Sequence, residues 1–233
     1  MVNVHGAVAV VTGGQRGLGK AIVDELLSRG ASKVYATARA PKPSDDPRVV
    51  SVALDVTDQD SVAALAATAV DAQIVVNNAG AIAGQSLLHD DFAGIRAVFE
   101  TNYFGALQVA RAFAPVLAAN GGGALVDIAS VLSWYSGSGS YGDSKAALWS
   151  ATNSLRLELA PQNTLVVGAH LGYTDTDMVA DVDAPKNDPR DVAAAILDGV
   201  EHNEVEVLAD DLTRAVRAGL SAPIPNPLGT AAV

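Results

Sequence analysis

Short apolar runs rich in valine, isoleucine and alanine alternate along the chain with longer segments that favour helix. Runs of this kind, apolar at nearly every position, are typical of strands buried on both faces of a sheet. They predict strands at residues 8–12, 33–37, 49–54, 74–76, 124–128, 165–170 and 205–208. Helices are predicted at 20–29, 58–70, up to about 117, from 141 until before 161, at 190–201 and at 210–220. This alternation predicts an α/β fold, a doubly wound parallel sheet with helices on both faces.

A glycine-rich turn joins the first predicted strand to the first predicted helix. Gly13, Gly17 and Gly19 fall in this turn. There the bare backbone can approach a pyrophosphate closely, and the helix N-terminus offers free N–H groups to the anion. The turn also nearly matches the phosphate loop of NTP-hydrolysing proteins, but that motif needs Ser or Thr after its lysine, and Lys20 is followed by Ala21. We therefore expect a dinucleotide site and rank NTP hydrolysis well below it.

The second predicted strand ends without an acidic residue. In an NAD site, a carboxylate near this strand end bonds the 2′-hydroxyl of the adenosine ribose. Here the strand is followed by Ala38 and Arg39, and the glycine turn adds Arg16. Two cations converging on this ribose suit a 2′-phosphate, so the sequence predicts NADP(H) rather than NAD(H) as cofactor.

Polar residues follow three further predicted strands, namely Asp55, Asn78 and Ser130. Because ligands of such sheets bind outside the carboxyl ends of the strands, we expect these residues near the glycine turn. Asn102 falls inside the long helical region instead. A buried asparagine in a helix is costly unless it is hydrogen-bonded, which makes Asn102 a candidate for a local role.

Tyr141 and Lys145 form a pair at the start of a predicted helix, one turn apart and pointing the same way. A lysine cation beside a phenol favours the phenolate, so the pair predicts a Tyr141 pKa below its usual value of about 10. Alone, the pair is also a common surface spacing. The cofactor turn before it and Ser130 beside it make it a candidate acid–base group.

Composition and charge narrow the classes of function. Of 233 residues, 49% are hydrophobic and 18% are charged, which favours one well-packed domain. The formal net charge of −11 disfavours nucleic acid as a partner. The absence of cysteine and the scattered histidines predict no metal site. No apolar run reaches the ~18 residues of a membrane span and no signal peptide is apparent, so we expect a cytoplasmic protein without a membrane partner.

Taken together, these motifs resemble the short-chain dehydrogenase/reductase family over nearly the whole chain. The resemblance rests on Thr12-Gly13-x-x-x-Gly17-x-Gly19, Asp55, Asn77-Asn78-Ala79-Gly80, Asn102, Ser130, Tyr141-x-x-x-Lys145 and Gly172-x-x-x-Thr176. It implies a single Rossmann-like domain over residues 1–233 with a seven-stranded sheet. It also implies an oxidoreductase, a carbonyl reductase or alcohol dehydrogenase, that transfers a hydride between NADP(H) and a ketone, aldehyde or secondary alcohol. The family's habit further implies a homodimer or homotetramer.

The resemblance also assigns roles to residues. Ser130 would position the substrate oxygen, Tyr141 would exchange its proton, Lys145 would hold the nicotinamide ribose and lower the tyrosine pKa, and Asn102 would keep a water in the proton relay. The cofactor contacts expected are Gly13, Arg16, Gly17, Leu18, Gly19, Arg39, Asp55, Val56, Asn78, Ala79, Gly80, Tyr141, Lys145, Gly172 and Thr176.

The chain departs from the family pattern in three places. The loop over residues 131–140 is shorter than the family usually has, so Ser133 is an alternative to the favoured Ser130. The usual Pro-Gly after the sixth strand is Leu171-Gly172, a less rigid turn. The substrate-covering segment 173–188 is short, which predicts an open site for varied ketones or aldehydes.

The short loop and the C-terminus leave two further expectations. The loop motivates an alternative function, a catalytically inactive NADP-binding regulatory or scaffold protein, against which the intact Tyr141 and Lys145 pair argues. The tail over 221–233 is rich in proline, which excludes regular structure there.

Overall fold

A computed structural model describes residues 2–84 and 86–223 of the chain. Its seven strands are β1 (Val8–Val11), β2 (Lys33–Ala38), β3 (Val49–Ala53), β4 (Ile74–Asn77), β5 (Gly123–Ile128), β6 (Thr164–His170) and β7 (Glu206–Leu208). They form one sheet in the order β3-β2-β1-β4-β5-β6-β7, and every neighbouring pair is parallel. The predicted doubly wound parallel sheet is confirmed, and each predicted strand is present to within a residue or so of its ends.

The helices cover both faces of this sheet. They are α1 (Gly17–Ser28), α2 (Gln59–Thr68), α3 (Phe92–Phe99), α4 (Ala106–Ala119), α5 (Gly139–Leu159), α6 (Pro189–Glu201) and α7 (Asp211–Ala218). Buried side chains of α1 and α6, such as Ile22 and Ile196, pack on one face of the sheet. Those of α2 and α4, such as Leu65 and Phe113, pack on the other face. Because these strands run parallel, the carboxyl ends of β1, β4, β5 and β6 lie at one common edge of the sheet.

Three helical segments differ from the sequence prediction. The long helical region up to about residue 117 is interrupted by a π-helical segment, Glu100–Gly105, between α3 and α4. Helix α1 begins at Gly17, so the last two glycines of the turn belong to its first turn. Helix α5 begins at Gly139, two residues before the predicted start at Tyr141, and it exposes Leu157 at 78% on its outer side.

Two findings concern the chain's exterior. Within the described residues, no helix combines the length and the apolar character that crossing a membrane would require. Most of the predicted proline-rich tail over 221–233, from residue 224 onward, lies outside the described residues.

Candidate active site

The glycine turn is shaped to bring its backbone close to a ligand. Gly13 and Gly17 have φ angles of +64° and +52°, a region that side chains other than glycine rarely adopt. A Cβ atom on Gly19 would collide with the carbonyl oxygen of Gly13. The first intrahelical hydrogen bond of α1 runs from Lys20 N to Arg16 O, at 3.1 Å. The N–H groups of residues 17–19 precede it and are thus available to an anion.

Thr12 and Asn78 join the glycine turn to the end of β4. The Thr12 hydroxyl accepts hydrogen bonds from the backbone N–H groups of Asn78 and Ala79, each at 2.9 Å. In return, the Asn78 amide donates to the carbonyl of Thr12 at 2.8 Å. Asn78 therefore fixes the shape of the turn, and its side-chain amide uses one of its N–H groups for this bond.

Tyr141, Ser130 and Lys145 converge on one cavity. Ser130 follows β5 and Tyr141 lies in the first turn of α5, and both line the cavity together with Lys145. The Lys145 ammonium donates to the carbonyl of Ile128 at 2.6 Å and lies 5.7 Å from the centroid of the Tyr141 ring. Ser133, the alternative serine, donates instead to the carbonyl of Lys145 at 3.1 Å and does not line the cavity. The short loop thus delivers Ser130 beside the phenol.

Burial controls the acid–base properties of this group. It raises the pKa of Tyr141 to about 12, and an interaction with the Ser130 side chain opposes this shift only in part. It lowers the pKa of Lys145 to about 8, opposed by the carboxylate of Asp127. The prediction that Lys145 lowers the Tyr141 pKa is therefore wrong for this arrangement, because desolvation of the phenol outweighs any effect of a cation that bonds to Ile128.

Asp127 is a fully buried acid in β5, and sequence reasoning missed its role. Its carboxylate accepts from the Asn77 amide at 2.9 Å and from the Thr152 hydroxyl at 2.7 Å. Burial raises its pKa, against these hydrogen bonds and the charge of Lys145. The sequence signal that could have identified Asp127 is a charged residue inside an apolar strand. Its hydrogen bonds connect β4, β5 and α5 beneath the cavity.

Asn102 is buried and fully hydrogen-bonded, as the sequence analysis required of it. Its side chain accepts from the N–H of Ala81 at 2.7 Å and donates to the carbonyl of the same residue at 2.9 Å. It also donates to the Ser144 hydroxyl at 3.0 Å. The amide thus holds the segment after β4 against α5, and it does not line the cavity itself.

The cavity has a volume of about 420 Å³ and contains most of the predicted contacts. Those that line it are Gly13, Arg16, Gly17, Leu18, Gly19, Asn78, Ala79, Gly80, Ser130, Tyr141, Lys145, Gly172 and Thr176. Arg39, Asp55, Val56 and Asn102 lie outside its lining. The cavity is also lined by a group of apolar residues that sequence analysis did not foresee. This group, called the mouth below, consists of Ile82, Leu132, Tyr135, Tyr173, Met178, Val179, Leu212 and Val216.

The loop after β2 is docked onto the glycine turn by Gln15. The Gln15 amide accepts from the backbone N–H of Lys42 and donates to its carbonyl, both at 2.8 Å. This loop carries the exposed Arg39, whose charge helps to lower the pKa of Asp55, after hydrogen bonds from Thr57 to that carboxylate. The loop therefore also carries Lys42, which sequence analysis did not select, three positions after the predicted Arg39.

Segment 173–188 and α7 are held together by Asp210, another residue that sequence analysis missed. Its carboxylate accepts from the N–H of Gly172 at 2.6 Å, from Asn187 at 2.8 Å and from the N–H of Thr213 at 2.7 Å. Burial opposes ionisation, but these bonds keep the pKa of Asp210 below its usual range. The turn at Gly172 is thus fixed by an acid, in place of the rigid proline.

The glycine turn, the cations beside it and the cavity fit a nicotinamide dinucleotide. The glycines of the turn lie where a pyrophosphate would have to approach the backbone. A comparison with known proteins bears on this fit. The family described as short chain dehydrogenase matches residues 7–187. The chain belongs to this family. As a short-chain dehydrogenase it is an oxidoreductase, and the predicted family and fold are confirmed.

Individual relatives of this short-chain dehydrogenase act on alcohols or bind nicotinamide cofactors. It is 34% identical over 192 residues to cis-4-hydroxycyclohexanecarboxylate dehydrogenase from Sinomonas cyclohexanicum, covering 76% of this chain and 77% of the relative. A crystal structure of a short chain dehydrogenase from Burkholderia cenocepacia J2315 in complex with NADP is 38% identical, with a TM-score of 0.90 over 95% of each chain. One from Burkholderia phymatum in complex with NAD shares the fold, with 23% identity and a TM-score of 0.84 over 99% of this chain and 100% of that one. The neighbours therefore include complexes with both cofactors.

Proposed function

We propose that the chain catalyses hydride transfer between NADP(H) and a ketone or aldehyde, or the corresponding alcohol. The observation that carries this proposal is the shared cavity, in which Tyr141, Ser130 and Lys145 face the glycine turn. A bound nicotinamide would supply the hydride. The protein residues would orient the substrate and manage the proton. We further propose that one domain provides both cofactor binding and catalysis.

In this proposal the substrate oxygen lies between Tyr141 and Ser130. Reduction of a carbonyl develops negative charge on that oxygen, and a phenol within hydrogen-bond reach neutralises it by donating its proton. Because burial keeps the pKa of Tyr141 at about 12, the phenol carries its proton at neutral pH and is ready to donate. Ser130 adds a second donor where the charge develops. Lys145 holds its charge near this oxygen and would bond the ribose, while Asn102 keeps the neighbouring backbone in place.

Replacing Tyr141 tests the proton transfer. The Tyr141→Phe variant keeps the ring but lacks the hydroxyl, so turnover should fall by roughly 10²–10⁴-fold while NADPH affinity changes little. The measurement is NADPH absorbance with a panel of ketones and aldehydes, alongside NADPH binding by fluorescence titration. Exposed Tyr173 at the cavity mouth provides the matched control, since Tyr173→Phe retains the ring and should retain kcat. A Tyr141→Phe enzyme that keeps most of its activity would exclude the proposed proton donor.

Binding of NADPH without turnover of any substrate by the wild type would instead favour the inactive scaffold alternative.

NADP(H) is proposed over NAD(H) because cations surround the expected position of the adenosine ribose. Arg16, Arg39 and Lys42 lie on two loops that Gln15 ties together. β2 ends in Ala38, where an NAD site would have a carboxylate nearby. Asp55, which follows β3, accepts hydrogen bonds from the N–H and the hydroxyl of Thr57. The candidate partners of a 2′-phosphate are therefore Arg39 and Lys42 on the loop and Arg16 on the glycine turn.

Arg39→Ala should weaken NADPH binding and spare NADH. A hydrogen bond to a charged group contributes ~1.5–3 kcal/mol, so the NADPH KM should rise by roughly ten-fold or more. KM values for both cofactors are measured in parallel, because a general disturbance of the site would raise both. Arg48→Ala serves as the matched control, since Arg48 is paired with Asp46 on the approach to β3. The proposal fails if the wild type prefers NADH, or if Arg39→Ala leaves the NADPH KM unchanged.

The substrate proposed is a neutral carbonyl compound with a sizeable apolar group. Exposed apolar side chains gather at the mouth beyond Tyr141, among them Tyr135, Tyr173 and Leu212, which are 60%, 41% and 54% exposed. Large exposed apolar side chains clustered at a cleft mark a binding surface. The charged residues lining the cavity are Arg16 and Asp177, 3.9 Å apart, and Lys145. Asp177 directly precedes Met178 and Val179 of the mouth, so an anionic substrate would meet a negative charge there.

A homo-oligomer is proposed as the working form. Large apolar side chains remain exposed on α3, on the π-helical segment and on α5, namely Phe92, Phe104 and Leu157. Helix α5 packs against both of the other elements. A second copy of the chain covering this surface would remove these side chains from water.

A further inference from the structure

His170 lies behind the candidate active site and is fully buried. It is the last residue of β6, next to the turn at Leu171 and Gly172. Its ring stacks on Trp134, with 3.9 Å between the ring centroids and 19° between the planes. A buried imidazole of this kind is costly unless a hydrogen bond orients it. The partner of that hydrogen bond therefore indicates what His170 does.

That partner is the backbone of Ser130. The His170 Nδ1 atom lies 3.2 Å from the carbonyl oxygen of Ser130. Because a carbonyl oxygen only accepts, the proton of the neutral ring must reside on Nδ1. Burial lowers the pKa of His170 to about 4, so the ring is neutral at physiological pH. The Nε2 atom lies 4.0 Å from the Glu206 carboxylate, beyond hydrogen-bond distance.

The stack on Trp134 attaches the short loop to the same histidine. Trp134 follows the single 3₁₀ turn Val131–Ser133 that begins directly after Ser130. The Arg217 guanidinium lies 5.5 Å above the Trp134 ring and donates to Glu206 at 2.6 Å. Trp149 of α5 meets Trp134 edge to face at 5.7 Å. The loop between Ser130 and Tyr141 is thus clamped from β6, α5 and α7.

We propose that His170 is a positioning residue for the reaction, which holds Ser130 against Tyr141 through the Ser130 carbonyl. This inference rests on the proposed function, since the placement of Ser130 matters only if its hydroxyl meets the reacting oxygen. The short loop over residues 131–140 has little length with which to set its own shape. The backbone N–H groups of Ala129 and Val131 already bond the carbonyls of Ala169 and Leu171, and the histidine adds a bond at the Ser130 carbonyl between them. The Trp134 stack keeps the imidazole in place.

Two substitutions separate the Nδ1 bond from the stack. In His170→Asn the amide nitrogen takes the place of Nδ1 and can still donate to Ser130, whereas in His170→Gln it takes the place of Nε2 and cannot. Both variants lose the aromatic stack equally and are alike in polarity. His170→Asn should therefore retain most of the wild-type kcat. His170→Gln should lose about ten-fold in kcat relative to His170→Asn, with the NADPH KM within about two-fold of wild type.

A pH profile gives a readout that loss of stability alone would not move. The Ser130 side chain lowers the pKa of Tyr141. When Ser130 is displaced, the rise in alcohol oxidation with pH should begin at a higher pH in His170→Gln than in His170→Asn. The other charged groups near the phenol are Lys145 on α5 and Asp127 on β5, and both are identical in the two variants.

Exposed His202 provides the matched control, because its Nδ1 also faces a backbone carbonyl, that of Asp198 at 2.8 Å. His202→Gln should leave kcat and the pH profile unchanged. Crystal structures of the two His170 variants complete the test without requiring turnover: Ser130 should keep its place in His170→Asn and move in His170→Gln. Equal kcat values and equal Ser130 positions in the two folded variants would overturn the inference. An inactive wild type would instead refute the proposed function, and the two crystal structures would still decide the position of Ser130.

Discussion

At the scale of single residues, the candidate site stores an unfavourable charge. Lys145 is 4% exposed, and burial lowers its pKa from 10.5 to about 8. At neutral pH the folded protein therefore holds an ammonium group that would be better solvated in the unfolded chain. Such destabilised groups are typical of sites selected for function. The same desolvation keeps Tyr141 protonated, so burial prepares one residue to donate a proton and makes the other costly to keep charged.

Lys145→Met should abolish turnover and stabilise the fold at pH 7. A shift of one pKa unit corresponds to about 1.4 kcal/mol, and the lost hydrogen bond to Ile128 offsets part of the gain, so we expect roughly 1–3 kcal/mol. The folded pKa lies below the unfolded one, so the wild type gains stability as the pH rises between about 8 and 10.5. The difference between variant and wild type should therefore shrink across that window.

Urea unfolding at pH 7 and at pH 10 measures both quantities. Lys20, whose side chain is 54% exposed, offers the control variant Lys20→Met, which should change stability little at either pH. A Lys145→Met protein that is less stable than wild type at pH 7 would contradict the assignment of a costly buried cation.

The site residues that were predicted from the sequence share one property: each belongs to a motif that is recognisable from its local spacing. Gly13, Gly17, Gly19, Tyr141 and Lys145 belong to short motifs, and the structure places all of them on the cavity. Residues that act through distant partners were missed. Asp210 bonds Gly172 across 38 positions, and Asp127 bonds Asn77 across 50. The residues that neighbour them in sequence do not indicate which backbone group or side chain will lie beside them in the fold. The direction of the Tyr141 pKa shift was mispredicted for a similar reason, since burial also depends on distant parts of the chain.

At the scale of elements, the mouth of the cavity is built by α7 and segment 173–188. Asp210 caps α7 and bonds both Gly172 and Asn187, so one carboxylate fixes the segment's two ends and the helix. Within the segment, the Asn187 N–H donates to the carbonyl of Tyr173 at 2.8 Å. The mouth is therefore a defined surface although the segment is short. In the proposed function, its apolar side chains would select the substrates that enter.

Leu212→Lys tests the apolar mouth. Burying a leucine side chain against a ligand is worth ~1.5–3 kcal/mol, so the KM for an aryl or long-chain ketone should rise about ten-fold. The KM for NADPH should change less than the ketone KM, because Leu212 belongs to α7 and not to the glycine turn. The catalytic efficiency with a ketone that bears a carboxylate should improve relative to the neutral ketone.

Leu220→Lys is the matched control, since Leu220 is similarly exposed at 40% but does not line the cavity. Steady-state kinetics on a neutral and an anionic ketone of equal size decide the matter. Unchanged KM values for both ketones in Leu212→Lys would remove α7 from the substrate site.

Most strands were predictable because they are runs of apolar residues, even where the strand is not fully buried, as in β3, which exposes Val50. β1 and β4 are buried at every position, and their parallel pairing follows from the alternation with helices. The π-helical segment Glu100–Gly105 was not predictable, because it differs from its neighbours by hydrogen-bond register alone. In it, Asn102 bonds Ala81 through both amide atoms, a contact 21 positions away that local sequence does not reveal.

At the scale of the whole molecule, charge is unevenly distributed. The formal net charge is −11, yet the proposed cofactor is itself a polyanion. Two arginines and one lysine, Arg16, Arg39 and Lys42, lie on the glycine turn and on the loop that Gln15 joins to it. Local field rather than overall charge governs binding of a small anion in a cleft. The rest of the surface is acidic, which favours solubility. It also opposes association between copies of the chain, except where buried apolar surface outweighs the charge repulsion.

The surface with that apolar character is carried by α3, the π-helical segment and α5. Phe92, Phe104 and Leu157 are 70%, 44% and 78% exposed there. We expect the wild type to elute as a dimer or tetramer, because a stable interface buries roughly 800 Å² on each partner and these elements offer contiguous helical surface for it. Leu157→Asp would place a carboxylate in that interface on each copy. Its desolvation and mutual repulsion should shift the protein toward monomer.

Light scattering coupled to size exclusion measures the mass of each variant across a concentration series. Val70→Asp provides the matched control, since Val70 is 61% exposed just beyond α2, on another part of the fold, and should leave the mass unchanged. If Leu157→Asp retains the wild-type mass, the interface lies elsewhere, and a monomeric wild type would refute the oligomer itself. Because Tyr141 and Leu157 share α5, activity measured on the Leu157→Asp monomer also shows whether assembly is needed to hold that helix and its acid–base pair in place.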